Sequence, residues 1–176
     1  PGGGFYSAED ADSEGEEGLF YLWTPKQIID IVGDVDGDKF LEIFNVTKRG
    51  NFRDESSGRE SGRNIPHLKK SIAEIAAAEG KTMDSYLSWV DNVRRHLFDE
   101  REKRIHPQKD DKVLTDWNGL MIAAMARGYR VLGEDRFLES ARRAAAFALG
   151  TMTVDGRLLH SHRDQRTHLL AYIDDH

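Results

Sequence analysis

The sequence predicts a mainly α protein assembled from αα-hairpins, with short β-ribbons between them. Three observations carry this. Apolar residues recur at spacings of three and four along the second half of the chain, as on one face of a helix. Two consecutive helical segments there distribute charge in opposite ways, one reading as inner and the next as outer. Asp155-Gly156, flanked by Thr153-Val154 and Leu158-Leu159, is a hairpin signal.

The acidic stretch Ser7 to Gly18 comes first, with six Asp or Glu among twelve residues. Phe5-Tyr6 before it and Phe20 to Trp23 after it are apolar anchors, so it reads as a loop pinned to a body rather than a disordered tail. Leu19 to Trp23 is β-prone, a strand or extended packing segment. Thr24-Pro25 reads as N-cap and first residue of a helix ended by Gly33, and a second short helix spans Asp38 to Phe44. Thr47 to Asn64 is rich in glycine, serine and charge and reads as irregular loop. Helices follow over Ser71 to Glu79 and from a Thr82 cap to about Lys103. Between Trp117 and Leu132 the only charged residues are Arg127 and Arg130, which predicts a helix covered on most sides. Between Asp135 and Leu149, Phe137, Leu138 and Ala141 share one face with Ala144, Ala145 and Ala148, while Arg136, Glu139, Arg142 and Arg143 share the other. The short Gly133-Glu134 turn joins the two, giving the hairpin unit of layered helical toroids and solenoids. Leu169 to His176 is expected to open a further helix, so the architecture is expected to be incomplete.

Composition excludes several function classes. A net charge of −6 over 176 residues opposes nucleic acid or an acidic membrane as the main partner. No apolar run approaches the roughly 18–20 residues that span a bilayer. Without cysteine there is no disulfide or thiolate site. A cytoplasmic location is the expectation. Asp10, Asp12 and Glu14 followed by Gly15 match half of a calcium loop, but Tyr21 stands where the bidentate Glu belongs. Asp34, Asp36 and Asp38 fail similarly, with Asn45 in that place. A solvated acidic loop is the better reading of both.

The remaining polar clusters sit at expected loop-to-helix junctions: Asp110-Asp111-Lys112, Thr115-Asp116-Trp117-Asn118, His160-Ser161-His162-Arg163 and Asp174-Asp175. Carboxylates can move protons, an indole can stack on a pyranose face, and an arginine can fix a carboxylate or hydroxyl. Thr115 or Asp116 also suits the N-cap of the following helix, and Trp117 suits a core position. His160 and His162 alternate on an extended segment and point the same way. With no third ligand beside them, no metal site is expected, and no cofactor is implied.

Long stretches are recognisable: GGFYSAEDADSEGEEGLFYLWT (Gly3 to Thr24), DDKVLTDWNGLMIAAMA (Asp110 to Ala126), GRLLHSHR (Gly156 to Arg163) and AYIDD (Ala171 to Asp175). Together they resemble a family of thioredoxin-domain-containing proteins whose human member is a spermatogenesis-associated protein. The resemblance implies that residues 1–176 form part of an incomplete (α/α)6 toroid, similar to N-acylglucosamine 2-epimerase and the six-hairpin glycosidases. A thioredoxin-like domain is expected upstream and is absent from this chain. The matching motif positions are Ser7, Glu9, Asp10, Asp12, Asp110, Asp111, Lys112, Thr115, Trp117, Asn118, Arg163, Asp174 and Asp175.

Two functions compete. In the first, the domain processes a sugar or sugar-like ligand, with glycosidase-like chemistry favoured over epimerisation because acids outnumber well-placed histidines. Asp12, Asp111 and Asp116 are then the catalytic candidates. Glu9, Asp10, Asp110, Trp117, Asn118, His160, Arg163, Asp174 and Asp175 are the ligand-binding candidates. In the second, the domain is a non-catalytic ligand-binding or scaffold module serving the attached thioredoxin-like domain. An opened toroid is further expected to expose apolar edges and to self-associate.

Overall fold

The computed structural model describes residues 2–53, 58 and 60–175. In chain order the first elements are β1 (Ala8–Glu9), β2 (Asp12–Ser13), β3 (Glu16–Glu17), α1 (Pro25–Val32), α2 (Asp34–Ile43) and α3 (Ile72–Ala78). Next come α4 (Met83–Arg101), β4 (Lys109–Asp110), β5 (Val113–Leu114), α5 (Thr115–Leu132) and α6 (Asp135–Gly150). The last are β6 (Thr153–Val154), β7 (Arg157–Arg163), β8 (Arg166–Leu170) and a 3₁₀ turn, Ile173–Asp175. The fold is mainly helical with short antiparallel strands. It divides into two compact units, Ala11–Gln108 and the discontinuous pair Pro1–Asp10 with Lys109–His176. The acidic stretch therefore contributes to both.

In the unit Ala11–Gln108, sequence and structure agree closely on the helices. Thr24 caps α1 through a reciprocal capping box with Gln27, and Pro25 stands at its first turn. Ser71 caps α3 the same way with Glu74. Helix α2 begins four residues earlier than the sequence suggests, at Asp34, with Asp34 and Asp36 in its first turn, where acids suit the helix dipole. Trp23, Ile28, Phe40, Val46, Val93 and Leu97 form the buried core. The expected strand at Leu19 to Trp23 is instead a turn followed by a single bridge, Trp23 to Asn64. Phe20 and Leu22 are buried there all the same, so apolar content recorded burial rather than strand pairing. Residues 54–57 and 59 of the expected irregular loop lie outside the described residues.

That loop is organised by Asn64, which is fully buried. Its Nδ2 donates to the carbonyls of Trp23, Thr47 and Gly62 at 3.2, 3.1 and 3.2 Å, and its Oδ1 accepts from Thr47 N at 2.9 Å. The acidic hairpin β2–β3 turns on Glu14 (φ 54°) and Gly15 (φ 79°). Both angles are positive, as a two-residue hairpin turn demands. The hairpin is pinned by Ser13, whose hydroxyl donates to Ile105 O at 2.6 Å.

In the other unit, α5 and α6 pack as the expected hairpin, closed by Gly133 in the left-handed conformation (φ 71°). Val113, Phe147 and Met152 form a small core with Leu158 against it. The opening glycines pack on α6: a Cβ on Gly4 would lie 2.7 Å from Val113 Cγ1 and 2.9 Å from Phe147 Cδ1. Helix α5 differs from expectation. Among the described residues it packs on α6, β5, β7 and the 3₁₀ turn, leaving Leu120 72% and Val131 82% exposed. Low charge alone did not mean all-round cover.

The chain end also differs. Arg166–Leu170 is a strand paired with β7, not the start of a helix, and a 3₁₀ turn follows; His176 lies outside the described residues. The hairpin turns on Asp164 and Gln165, both at positive φ (51° and 59°). A glutamine in such a turn conceals it from sequence reading, which looks for Asn-Gly or Asp-Gly.

Replacing Asn64 by Ala strands several backbone groups at once and should lower stability by about 2–4 kcal/mol, measured by denaturant unfolding. Gly4→Ala forces a shift of Val113 or Phe147 and should lower it by about 1–3 kcal/mol.

Candidate functional site

Helix α5 begins without a local cap. Its N-cap residue is Leu114, which offers no side-chain hydrogen bond, and Thr115, one of the two expected caps, instead donates its hydroxyl to Leu159 O at 2.6 Å. Asp175 supplies what is missing. Its Oδ1 accepts from Asp116 N at 3.0 Å, so a carboxylate 59 residues away caps the helix. Its Oδ2 accepts from Tyr172 N at 2.7 Å. The hairpin β7–β8 carries the chain back past β7, and the 3₁₀ turn then places Asp175 beside His160.

His160 Nδ1 lies 3.1 and 3.0 Å from the two oxygens of Asp175. The Asp175 side chain is fully buried and that of His160 is 19% exposed. Both carboxylate oxygens already face backbone N–H donors, so the imidazole meets them with Nδ1–H. Nε2, on the far side of the ring, makes no hydrogen bond among the described residues. Tyr172 stands edge-on to the imidazole, ring centroids 4.9 Å apart, and is itself exposed, as is Trp117 at the start of α5. Asp116 is half-buried and its Oδ1 accepts from Trp117 N at 2.7 Å.

Asp116, His160 and Asp175 each offer a donor atom within 4.8 Å of the others. This is the one cluster among the described residues with the composition of a divalent-cation site. The oxygens of Asp175 are, however, already taken by two backbone amides and the imidazole, so the arrangement reads as a carboxylate–imidazole pair with a second carboxylate beside it.

The other sequence candidates fall in several places. Asp111 Oδ1 is shielded from solvent and has an ion-pair contact with Arg163 Nε at 2.8 Å, without hydrogen-bond geometry. Asp110 pairs with Lys112 at 3.1 Å. The hydrogen bond from Lys112 leads the influences that hold its carboxyl below the usual range. Glu9 lies opposite Lys109 in the β1–β4 ribbon, with Asp10 just after it. Asp12 sits in hairpin β2–β3, in the unit Ala11–Gln108. Asp174 is exposed in the 3₁₀ turn. Asn118 is buried and occupied: Oδ1 accepts from Phe5 N at 2.7 Å while Nδ2 donates to Phe5 O and Leu114 O at 3.1 and 2.8 Å. It holds the Phe5 backbone against α5 and offers nothing to a ligand. His162, next to the site on β7, meets Thr167 Oγ1 at 3.0 Å and the Phe147 ring. Tyr172 escaped the sequence reading because its segment was read as helix.

No family model matches the chain. The chain is similar to spermatogenesis-associated protein 20. The human protein of that name is 31% identical over 89% of this chain and 22% of its own length. The rat protein is 29% identical over 82% of this chain and 20% of its own length. An uncharacterized protein of Caenorhabditis elegans is 28% identical over 90% of this chain and 24% of its own length. The chain thus spans about a fifth of the length of the curated relatives it matches. No helix among the described residues is long and apolar enough to cross a membrane.

Asp175→Asn keeps one acceptor but turns an NH₂ towards a donor. It should destabilise the unit by about 1–3 kcal/mol and raise amide exchange at Asp116 and Tyr172. Unchanged exchange at both amides would contradict the capping role.

Proposed function

We propose that this chain is part of a carbohydrate-processing (α/α)6 toroid, glycosidase- or epimerase-like, in a cytoplasmic protein that also carries a thioredoxin-like domain, and that its proton-transfer centre is the His160–Asp175 pair. The observation that carries the chemistry is the contact between the His160 imidazole and a fully buried carboxylate at 3.0 Å. The αα-hairpin α5–α6 and the resemblance noted from the motifs support the toroid.

In this reading Nε2 of His160 takes a proton from a sugar carbon or hydroxyl and later returns one. Asp175 stabilises the imidazolium formed in between and keeps the ring oriented. Asp116 is the second carboxylate, and the exposed Trp117 and Tyr172 rings offer stacking faces for a sugar. The geometry favours proton transfer by an imidazole over a two-carboxylate hydrolysis. A two-carboxylate hydrolysis needs both carboxyls to reach the bond broken, whereas the Asp175 side chain is enclosed and its oxygens meet Asp116 N, Tyr172 N and the imidazole. Asp111 and Arg163, paired on the same unit, fit ligand anchoring better than proton transfer.

The test is incubation of the full-length protein with a panel of sugars, sugar acids and nucleotide sugars, followed by NMR. His160→Gln, whose amide can still donate to Asp175, should cut turnover by about 10²–10⁴-fold with a loss of stability of only about 1 kcal/mol, while Asp111→Asn raises KM more than it lowers kcat. Turnover by His160→Gln at the wild-type rate would remove the proposal. Saturable binding with no product would support the non-catalytic module instead.

A further inference from the structure

A separate cavity of about 500 Å³ opens in the unit Ala11–Gln108, between the acidic hairpin, the Leu19–Leu22 turn, the start of α1 and the chain after α4. This volume suits a small molecule. Leu19, Phe20, Leu22 and Ile105 give it an apolar floor. Its charged lining is mainly basic: Arg63, Lys103 and Arg104 against Glu14.

Arg104 is the fixed part. Its Nη1 donates to the carbonyls of Leu19, Phe20 and Leu22 at 3.3, 2.8 and 2.8 Å, and the guanidinium lies 3.9 Å from the Trp23 ring centre. Nε and Nη2 make no hydrogen bond among the described residues. Burial is the leading influence that lowers its pKa, the mark of a partly desolvated cation. Gln27 adds a second set of oriented donors. Its Oε1 is committed to Thr24 N and Thr24 Oγ1 at 2.9 and 3.0 Å in the capping box, which leaves the Nε2 hydrogens unspent. Arg63 and Lys103 are paired with Glu16 and Glu100, so they shape the rim potential while Arg104 and Gln27 hold free donors.

We propose that this cavity binds a small organic anion, its carboxylate or phosphate head on Arg104 and Gln27 and its apolar body on the Leu19–Leu22 floor. A guanidinium with unspent N–H groups matches either head. The site is independent of the His160–Asp175 pair and of any reaction there.

The experiment is calorimetric titration of the protein with benzoate and phenyl phosphate, with benzyl alcohol as the neutral counterpart. Both anions should bind more tightly than the alcohol, and the tighter of the two names the head group. Gln27→Glu retains the capping acceptor and so the fold, but puts a carboxylate where the donors were. It should weaken the anions at least tenfold at unchanged melting temperature. Lys103→Gln, which leaves the cap intact, should weaken them several-fold without changing the alcohol. No binding by the wild-type protein, equal affinity for the alcohol, or unchanged anion affinity in both variants overturns the proposal.

Discussion

A buried carboxylate must find donors or be neutralised, and that requirement on Asp175 shapes the whole region around it. Its two oxygens bring together the start of α5, the backbone of Tyr172 and the imidazole of His160. The start of α5 is thereby tied to a residue 59 positions away, at the point where the last turn meets β7. Helix α5 receives its missing cap, the last turn is anchored, and the histidine ring is held in place. The same contact that helps hold the fold also fixes the imidazole, and its Nε2 makes no hydrogen bond among the described residues.

The unit Ala11–Gln108 solves a comparable problem with neutral groups. Asn64 plays for its loops the part that Asp175 plays for α5: one enclosed side chain pays off several backbone donors and acceptors at once. Arg104 repeats the device with a cation, gathering three carbonyls under Trp23. Short irregular segments without ladders of their own are held by these polar hubs, since backbone groups left unpaired away from water are costly. The difference is that Asn64 is used up, whereas His160 and Arg104 keep atoms in reserve.

The helices were legible where local chemistry specifies them. Thr24-Pro25, Ser71 with Glu74, and Thr82 announce their caps within four residues, and the Gly133 turn separates α5 from α6. Helix α5 shows the opposite case: its boundary is nearly right from pattern, but its cap is remote and no local signal could reveal it. The strand β8 was hidden because Gln165 adopts a left-handed conformation that sequence reading reserves for Gly or Asn. At the site, His160, Asp116 and Asp175 were each visible as polar residues near element ends, yet their grouping depends on the β7–β8 hairpin that was missed. Asn118 looked like a ligand-facing group for the same reason that makes it structural: a polar side chain at a helix start serves whichever backbone lies nearest, here that of Phe5.

The interruption of one unit by the other has a kinetic meaning. Glu9 pairs with Lys109 although about a hundred residues separate them, and closing an unstructured loop of that length costs roughly 4 kcal/mol beyond a constant. Within Ala11–Gln108, Ser13 already touches Ile105, so this unit holds its own ends together. Once it has formed, the flanking pieces meet as if joined by a short tether.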